Sequence, residues 1–323
     1  MFNKVFNPIL FQGKLTNKDY FEGWYYKQVS ANQKTSLSFI PAVSLNNNDP
    51  HSFVQYILVQ TNDYGDKKTQ TGYLRYDVSA FTYEENPFCV KVGKSKFSEH
   101  GISINLADEI FRFNGELSFG AFHPIQSSPL QPNIMGFFGY IPKMECYHGV
   151  ISMKHSLEGF LNINGEKVDF TGGRGYIEKD WGTSFPKKYI WLHSNHFENK
   201  SASLFFSIAH IPFHITEFEG FICNFVIENR EYRFATYNLS QCHIDQITDN
   251  FVQIRLENKN ARLEIKAQVL DQGKLIAPVK GTMEKAIKEG ISCILSIKLE
   301  DKTTGEIFTD RCENAGVEIV DYH

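Results

Sequence analysis

No stretch of the chain approaches the ~18 consecutive apolar residues that a membrane-spanning helix needs, which excludes such a helix. The N-terminal Met1-Phe-Asn-Lys-Val-Phe-Asn-Pro8 lacks a basic segment followed by a long apolar run. A secretory signal is therefore not expected, and the sequence predicts a cytoplasmic protein. Neither charge sign forms a block: 33 basic residues stand against 37 acidic ones, for a net charge of −4, which excludes the electrostatic footprint of a nucleic-acid binder. Cysteine is sparse and unpatterned. Cys89, Cys146, Cys223, Cys242, Cys293 and Cys312 include no Cys-x-x-Cys pair and no zinc-ligand spacing, so reduced thiols are expected. Helical periodicity is nearly absent too. It is suggested only at Gly281 to Gly290, where Thr282 would cap a short helix and Gly290 would end it.

What is abundant is aromatic. The 28 Phe and 15 Tyr suit pleated sheets and wide apolar cavities. Short alternating runs recur along the whole chain, among them Thr35 to Val43, Ser52 to Gln60, Gly72 to Tyr83 and Ile110 to Phe119. Asn164-Gly165 supplies the positive φ angles of a two-residue hairpin turn, and further hairpins are expected at Asn229-Arg230, at Asn258 to Asn260 and at Thr303 to Gly305. Residues Ala121 to Pro142, with four prolines, interrupt the rhythm as a long loop suited to covering a site. Two antiparallel sets of strands are predicted, forming an all-β protein of two tandem β-barrels with one short helix near the C-terminus. The expected domains are 1–184 and 185–323.

The densest chemistry lies between Thr171 and Phe197. Its 27 residues hold two of the three tryptophans, two histidines and two carboxylates. Strand alternation puts Tyr176, Glu178 and Asp180 on one face and Ile177, Lys179 and Trp181 on the other. The next segment sets Tyr189, Trp191, His193, Asn195 and Phe197 against Ile190, Leu192, Ser194 and His196. A smaller concentration of the same types occurs at Glu22, Trp24 and Tyr26, and the strand after the long loop carries Tyr147 and His148.

Four segments resemble the tocopherol cyclase family in the same order: Phe21-Glu-Gly-Trp-Tyr-Tyr-Lys27, the stretch from Met135 to Val150, the block from Gly173 to Pro186, and Ala277 to Glu289. The resemblance implies a tandem lipocalin-like fold, shared with carotenoid hydratases, and long isoprenoid or polyene substrates. It also implies a reaction without cofactor, in which a prenyl double bond is protonated and captured by a phenol oxygen or by water. Tyr176-Ile-Glu178 matches the Tyr-x-acid pair of the hydratase relatives. Plant members carry a transit peptide and a longer N-terminal segment, so a bacterial-type member is expected.

Alkene protonation asks for a protonated acid, aromatic faces for the cation, and exclusion of water. Candidate catalytic residues are Glu178, Asp180, Tyr176, His148 and His193, with Glu178 or Asp180 as proton donor. Candidate ligand-binding residues are Trp24, Tyr26, Trp181, Tyr189, Trp191, Asn195 and His196. A purely structural role for the acids competes with this, in which Glu178 and Asp180 form ion pairs with Arg174, Lys179, Lys187 or Lys188. A non-catalytic carrier of an apolar lipid or isoprenoid fits the same composition, and so does a scaffold with filled barrels. The expected partner is an apolar small molecule, with no nucleic acid and with at most peripheral contact with a membrane. No metal is expected. His193 and His196 would face opposite ways, and His210 and His214 would stand about 13 Å apart on a strand. Gly172-Gly-Arg-Gly175 precedes no helix, so it reads as a turn or bulge and not as a phosphate loop.

Overall fold

A computed structural model describes residues 2–213 and 216–322. It consists of two antiparallel sheets. The first has twelve strands, from Phe21–Val29 to Arg174–Gly182, and the second has ten, from Tyr189–Ser194 to Ile307–Val320. In the first sheet, the opening strand Phe21–Val29 lies between Thr35–Ser44 and Arg174–Gly182, and the latter pairs in turn with Cys146–Ile163. The second repeats this arrangement: Tyr189–Ser194 lies between Ser203–Phe213 and the final strand, Ile307–Val320.

Each sheet curls around its own core. Phe39 belongs to the second strand of the chain, yet its ring lies 5.4 Å from Phe113 and 6.3 Å from Phe97, several strands away along the sheet. Only strong coiling brings those inward faces together, giving two tandem lipocalin-like units. Both interiors are filled by side chains, the first by aromatics such as Trp24, Tyr26, Tyr56 and Phe113, the second by aliphatics such as Leu192, Ile254, Leu263 and Leu295. A third apolar cluster joins the sheets from outside. It takes Tyr25, Ile57 and Tyr176 from the first and Tyr189, Trp191, Phe205 and Ile291 from the second. Strands at this seam are buried on both faces.

The hairpins predicted at Asn164-Gly165, Asn258 to Asn260 and Thr303 to Gly305 form, and the one expected near Asn229-Arg230 turns at Glu228-Asn229. Asn164 and Gly165 have φ of 52° and 89°. The helix expected at Gly281 to Gly290 does not form. Thr282–Asp301 is one long strand, paired first with Gly273–Val279 and then with Ile307–Val320. A helical spacing over ten residues is weak beside the backbone pairing with Gly273–Val279 over 282–289, which continues into pairing with Ile307–Val320 from Glu289 onward. The α-helix among the described residues is instead the single turn Phe2–Phe6. No described helix is long and apolar enough to cross a membrane.

Candidate active site

At the seam between the sheets lies a cavity of about 190 Å³. Its floor is apolar, with Phe21, Ile40 and Phe53 from the first sheet and Ala209, Ile222 and Ile287 from the second. The loop of residues 120–145 covers it through Met135, Phe138 and Met144. Four carboxyl groups and one imidazole are set into this apolar wall: Glu178, Asp180 and His148 from the first sheet, and Glu289 and Glu318 from the second.

On the first side, Glu178 Oε2 accepts hydrogen bonds from the Tyr176 hydroxyl at 2.5 Å and the Trp191 indole at 3.1 Å. It also faces His148 Nε2 at 3.3 Å, while His148 Nδ1 meets Asp180 Oδ1 at 2.8 Å. Burial alone would push the His148 imidazole down. The two flanking carboxylates overcome that and hold it up, at about 10, so it is an imidazolium at neutral pH. Donor atoms of His148, Glu178 and Asp180 all lie within 4.8 Å of one another, making this the group among the described residues most compact for a metal ion. The imidazole, however, uses one nitrogen on each carboxylate, on opposite sides of the ring. That geometry shares a proton and does not converge three ligands on a point.

The second side behaves differently. Glu289 and Glu318 are direct antiparallel partners on neighbouring strands. Tyr25 donates to Glu289 Oε1 and Tyr189 to Glu318 Oε2, each at 2.5 Å. Burial raises Glu289 to about 7, against the lowering effects of the Tyr25 hydrogen bond and the Lys27 ammonium. Burial and the neighbouring Glu289 carboxylate raise Glu318 well above the usual carboxylate range. Two carboxyls this close in an apolar wall cannot both ionise, so the pair carries a proton at neutral pH.

The structure thus brings together Tyr176, Glu178, Asp180, His148, Tyr189 and Trp191 from the sequence candidates. His193 stands behind them, stacked on Tyr176 with ring centroids 3.4 Å apart, and burial and the Lys27 charge push it well below the usual histidine range. The remaining ligand-binding candidates lie elsewhere. Trp24 and Tyr26 point into the first core, where Trp24 Nε1 donates to Ile9 O at 2.7 Å. Trp181 stacks on Tyr147 at 5.5 Å, on the core face of its strand. Asn195 binds the carbonyls of Met153 and Gly175, and His196 lines a different cavity. The three aromatics share one cause, that strands buried on both faces give such residues two places to go, whereas Asn195 and His196 lie past the end of the strand Tyr189–Ser194. His214 lies outside the described residues.

The expected ion pairs of Glu178 and Asp180 with Arg174, Lys179, Lys187 or Lys188 are absent among the described residues. Lys179 pairs instead with Glu22, inside the first sheet. Tyr25, Glu289 and Glu318 were not legible as site residues. Tyr25 sits between the two conspicuous aromatics of its own segment, and Glu289 falls where the spacing suggests a helix. Glu318 did carry a signal, as a lone acid within the apolar run Val317 to Val320.

The sequence profile described as tocopherol cyclase-like matches residues 118–320. The chain belongs to the tocopherol cyclase-like family. It is 31% identical over 80 residues to "Probable tocopherol cyclase, chloroplastic" of Oryza sativa subsp. japonica, covering 24% of this chain and 17% of that protein. For the tocopherol cyclase of Zea mays the identity is 27% over 79 residues, with the same two coverages. The matched stretch therefore spans less than a fifth of these curated relatives. Solved structures share the fold over far more of the chain. Kievitone hydratase of Nectria haematococca superposes with a TM-score of 0.54 at 11% identity, covering 93% of this chain and 88% of that one. CghA in complex with Sch210972 gives 0.55 at 7% identity, with coverages of 93% and 88%.

Proposed function

We propose that this family member is an acid-catalysed cyclase or hydratase acting on an apolar, isoprenoid-bearing substrate in the seam cavity. The observation that carries the reading is a carboxyl pair holding a proton, Glu289 and Glu318, set in an apolar wall opposite an ion-paired imidazolium. The pair delivers its proton to one carbon of a double bond, leaving a carbocation at the other. Tyr25, Tyr189 and Trp191 line the cavity and supply the aromatic surroundings that stabilise such a charge. A phenol oxygen of the substrate, or a water, attacks the cation. The proton it releases passes to the Glu178 side, where His148 and Asp180 hold the accepting carboxylate in place. One proton enters the substrate and one leaves, and exchange with solvent returns the two sides to their starting state. Family membership supports this class of reaction, as does the apolar lining, which suits a substrate rich in hydrocarbon.

The test is to incubate purified protein with a prenylated hydroquinone and with an acyclic polyene, following the products by liquid chromatography and mass spectrometry. Cyclisation yields a product of unchanged mass and altered retention, and hydration adds the mass of one water. Recovery of a bound but unaltered ligand would overturn the enzyme reading in favour of a carrier.

A further inference from the structure

A second cavity, of about 550 Å³, opens at the other end of the same seam. Its wall is polar, and five basic side chains line it against two acidic ones, in a chain whose net charge is −4. Lys34 is paired with Asp63 and Arg311 with Glu313, and the other three basic groups are not consumed by ion pairs. Arg174 Nη1 donates to the carbonyl of Asn195 at 2.7 Å, and Lys67 reaches the carbonyls of Ser292 and Glu313 only at 3.3 and 3.5 Å. Lys200 is exposed at the rim. None of the three has a carboxylate within ion-pair distance among the described residues. Of the acids, Glu313 is held by Arg311 at 3.2 Å, which leaves Glu198 alone to offset the rest.

His196 supplies an independent observation. It lines this cavity, is 8% exposed, and leaves Nδ1 without a hydrogen-bond partner among the described residues. Burial and the charges of Lys27 and Arg174 keep its ring neutral. Its Nδ1 atom is shut off from solvent, so the ring lines the cavity through its other atoms. The glycine stretch that no helix follows finds its place here: Gly172, with φ of 79°, and Gly173 turn the chain at the rim and bring Arg174 into the wall.

The geometry points to a second binding site, for a phosphorylated small molecule, built from Arg174, Lys67, Lys200 and His196 at the seam's polar end. Guanidinium and ammonium donors lining one cavity with a neutral imidazole, which offers a single ring N–H, suit the oxygens of a phosphoryl group. The volume exceeds what orthophosphate fills, and Phe197 offers one apolar surface for the rest of the ligand. The site is distinct from the acid cavity. The strand Phe21–Val29 runs between them, with Tyr25 lining one cavity and Ser30 just beyond its end lining the other, about 17 Å apart along the strand.

Isothermal titration of the full chain with inorganic pyrophosphate tests this, with orthophosphate as the smaller competitor. Saturable one-site binding is expected at physiological ionic strength, weakened about tenfold by Lys200→Gln and more by Arg174→Gln with Lys200→Gln. If the double variant does not fold, Lys67→Gln with Lys200→Gln takes its place, since both side chains reach solvent. Lys34→Gln, whose partner is Asp63 at 2.8 Å, should leave affinity within about twofold. Cosedimentation with phosphatidylcholine vesicles containing phosphatidate separates the two sources of the phosphoryl group. Competition between vesicles and pyrophosphate identifies a lipid headgroup, and pyrophosphate binding without vesicle binding identifies a soluble ligand. Absence of saturable binding to either, or equal affinity in the double variant, overturns the proposal.

Discussion

Two paired strands, Phe21–Val29 and Arg174–Gly182, carry acids on opposite faces, the first inward through Glu22 and the second outward through Glu178 and Asp180, and the two faces treat charge in opposite ways. Inward, Glu22 and Lys179 form an ion pair that is 0% exposed. Glu22 also accepts from Gln12 N, Gly13 N and the Tyr20 hydroxyl, while Lys179 donates to the carbonyls of Pro8 and Leu10. Every charge there has its counter-charge and its hydrogen bonds. Outward, at the seam, four carboxyls share one imidazolium and the nearby Lys27 ammonium. A satisfied buried pair holds a fold in register. An excess of buried carboxyls stores a proton, which is the raw material of acid catalysis. Burial alone therefore does not mark a catalytic acid; the balance of its neighbours does.

Neutralising the outward acids strikes hardest at this contrast. Glu318→Gln, and separately Glu289→Gln, should lower turnover of a converted substrate by about two to four orders of magnitude while the denaturation midpoint changes little. Equal turnover in both variants would move the proton donor elsewhere. The inward pair should show the reverse. Lys179→Met leaves Glu22 buried without its counter-charge and should cost about 3–5 kcal/mol of stability, measured by chemical denaturation, with activity per folded molecule retained. A smaller effect is expected from Tyr176→Phe, which removes one donor to Glu178. A loss of about 1.5–3 kcal/mol, read as reduced kcat/KM or stability, is expected there.

Titration separates the two faces further. The fold favours the neutral form of Glu289, whose value rises from 4.5 to about 7. Its contribution to stability is therefore complete below about 4.5 and is lost as pH rises through about 7. Turnover should fall over the same alkaline limb, because the donor must carry its proton, and Glu289→Gln should remove or displace that limb in a pH–rate profile. His148 is also raised, to about 10, so its stabilising effect is whole below its ordinary value of 6.5 and disappears only as pH passes about 10. The smallest effect is expected from Trp24→Phe. It should reduce stability through lost packing and the lost bond to Ile9, and leave KM unchanged, since this ring faces the first core and not the cavity.

Much of this architecture was legible because it is written in local pattern. Alternation and turn residues foretold the hairpins, and the face shared by Tyr176, Glu178 and Asp180 follows from the two-residue period of a strand. The stretch dense in costly residues between Thr171 and Phe197 leaves the first sheet at Gly182 and enters the second at Tyr189. Pattern failed where one strand is buried twice over. Trp24 and Tyr26 were as plausible for a cavity as Tyr25, and only the curl of the first sheet sent the former inward and the latter to the seam. Glu289 was hidden by a helix-like spacing that a long ladder of strand pairing overrode.

Local pattern thus settled the class of fold, its hairpins and the segment from which half of the site is drawn, because those depend on neighbours a few residues apart. Which acids meet was left to tertiary contact. Tyr25 and Glu289 are 264 residues apart in the chain, and Tyr189 and Glu318 are 129 apart, yet each pair is hydrogen-bonded across the site. A carboxyl keeps its proton because of what surrounds it in space, and no local pattern records those surroundings.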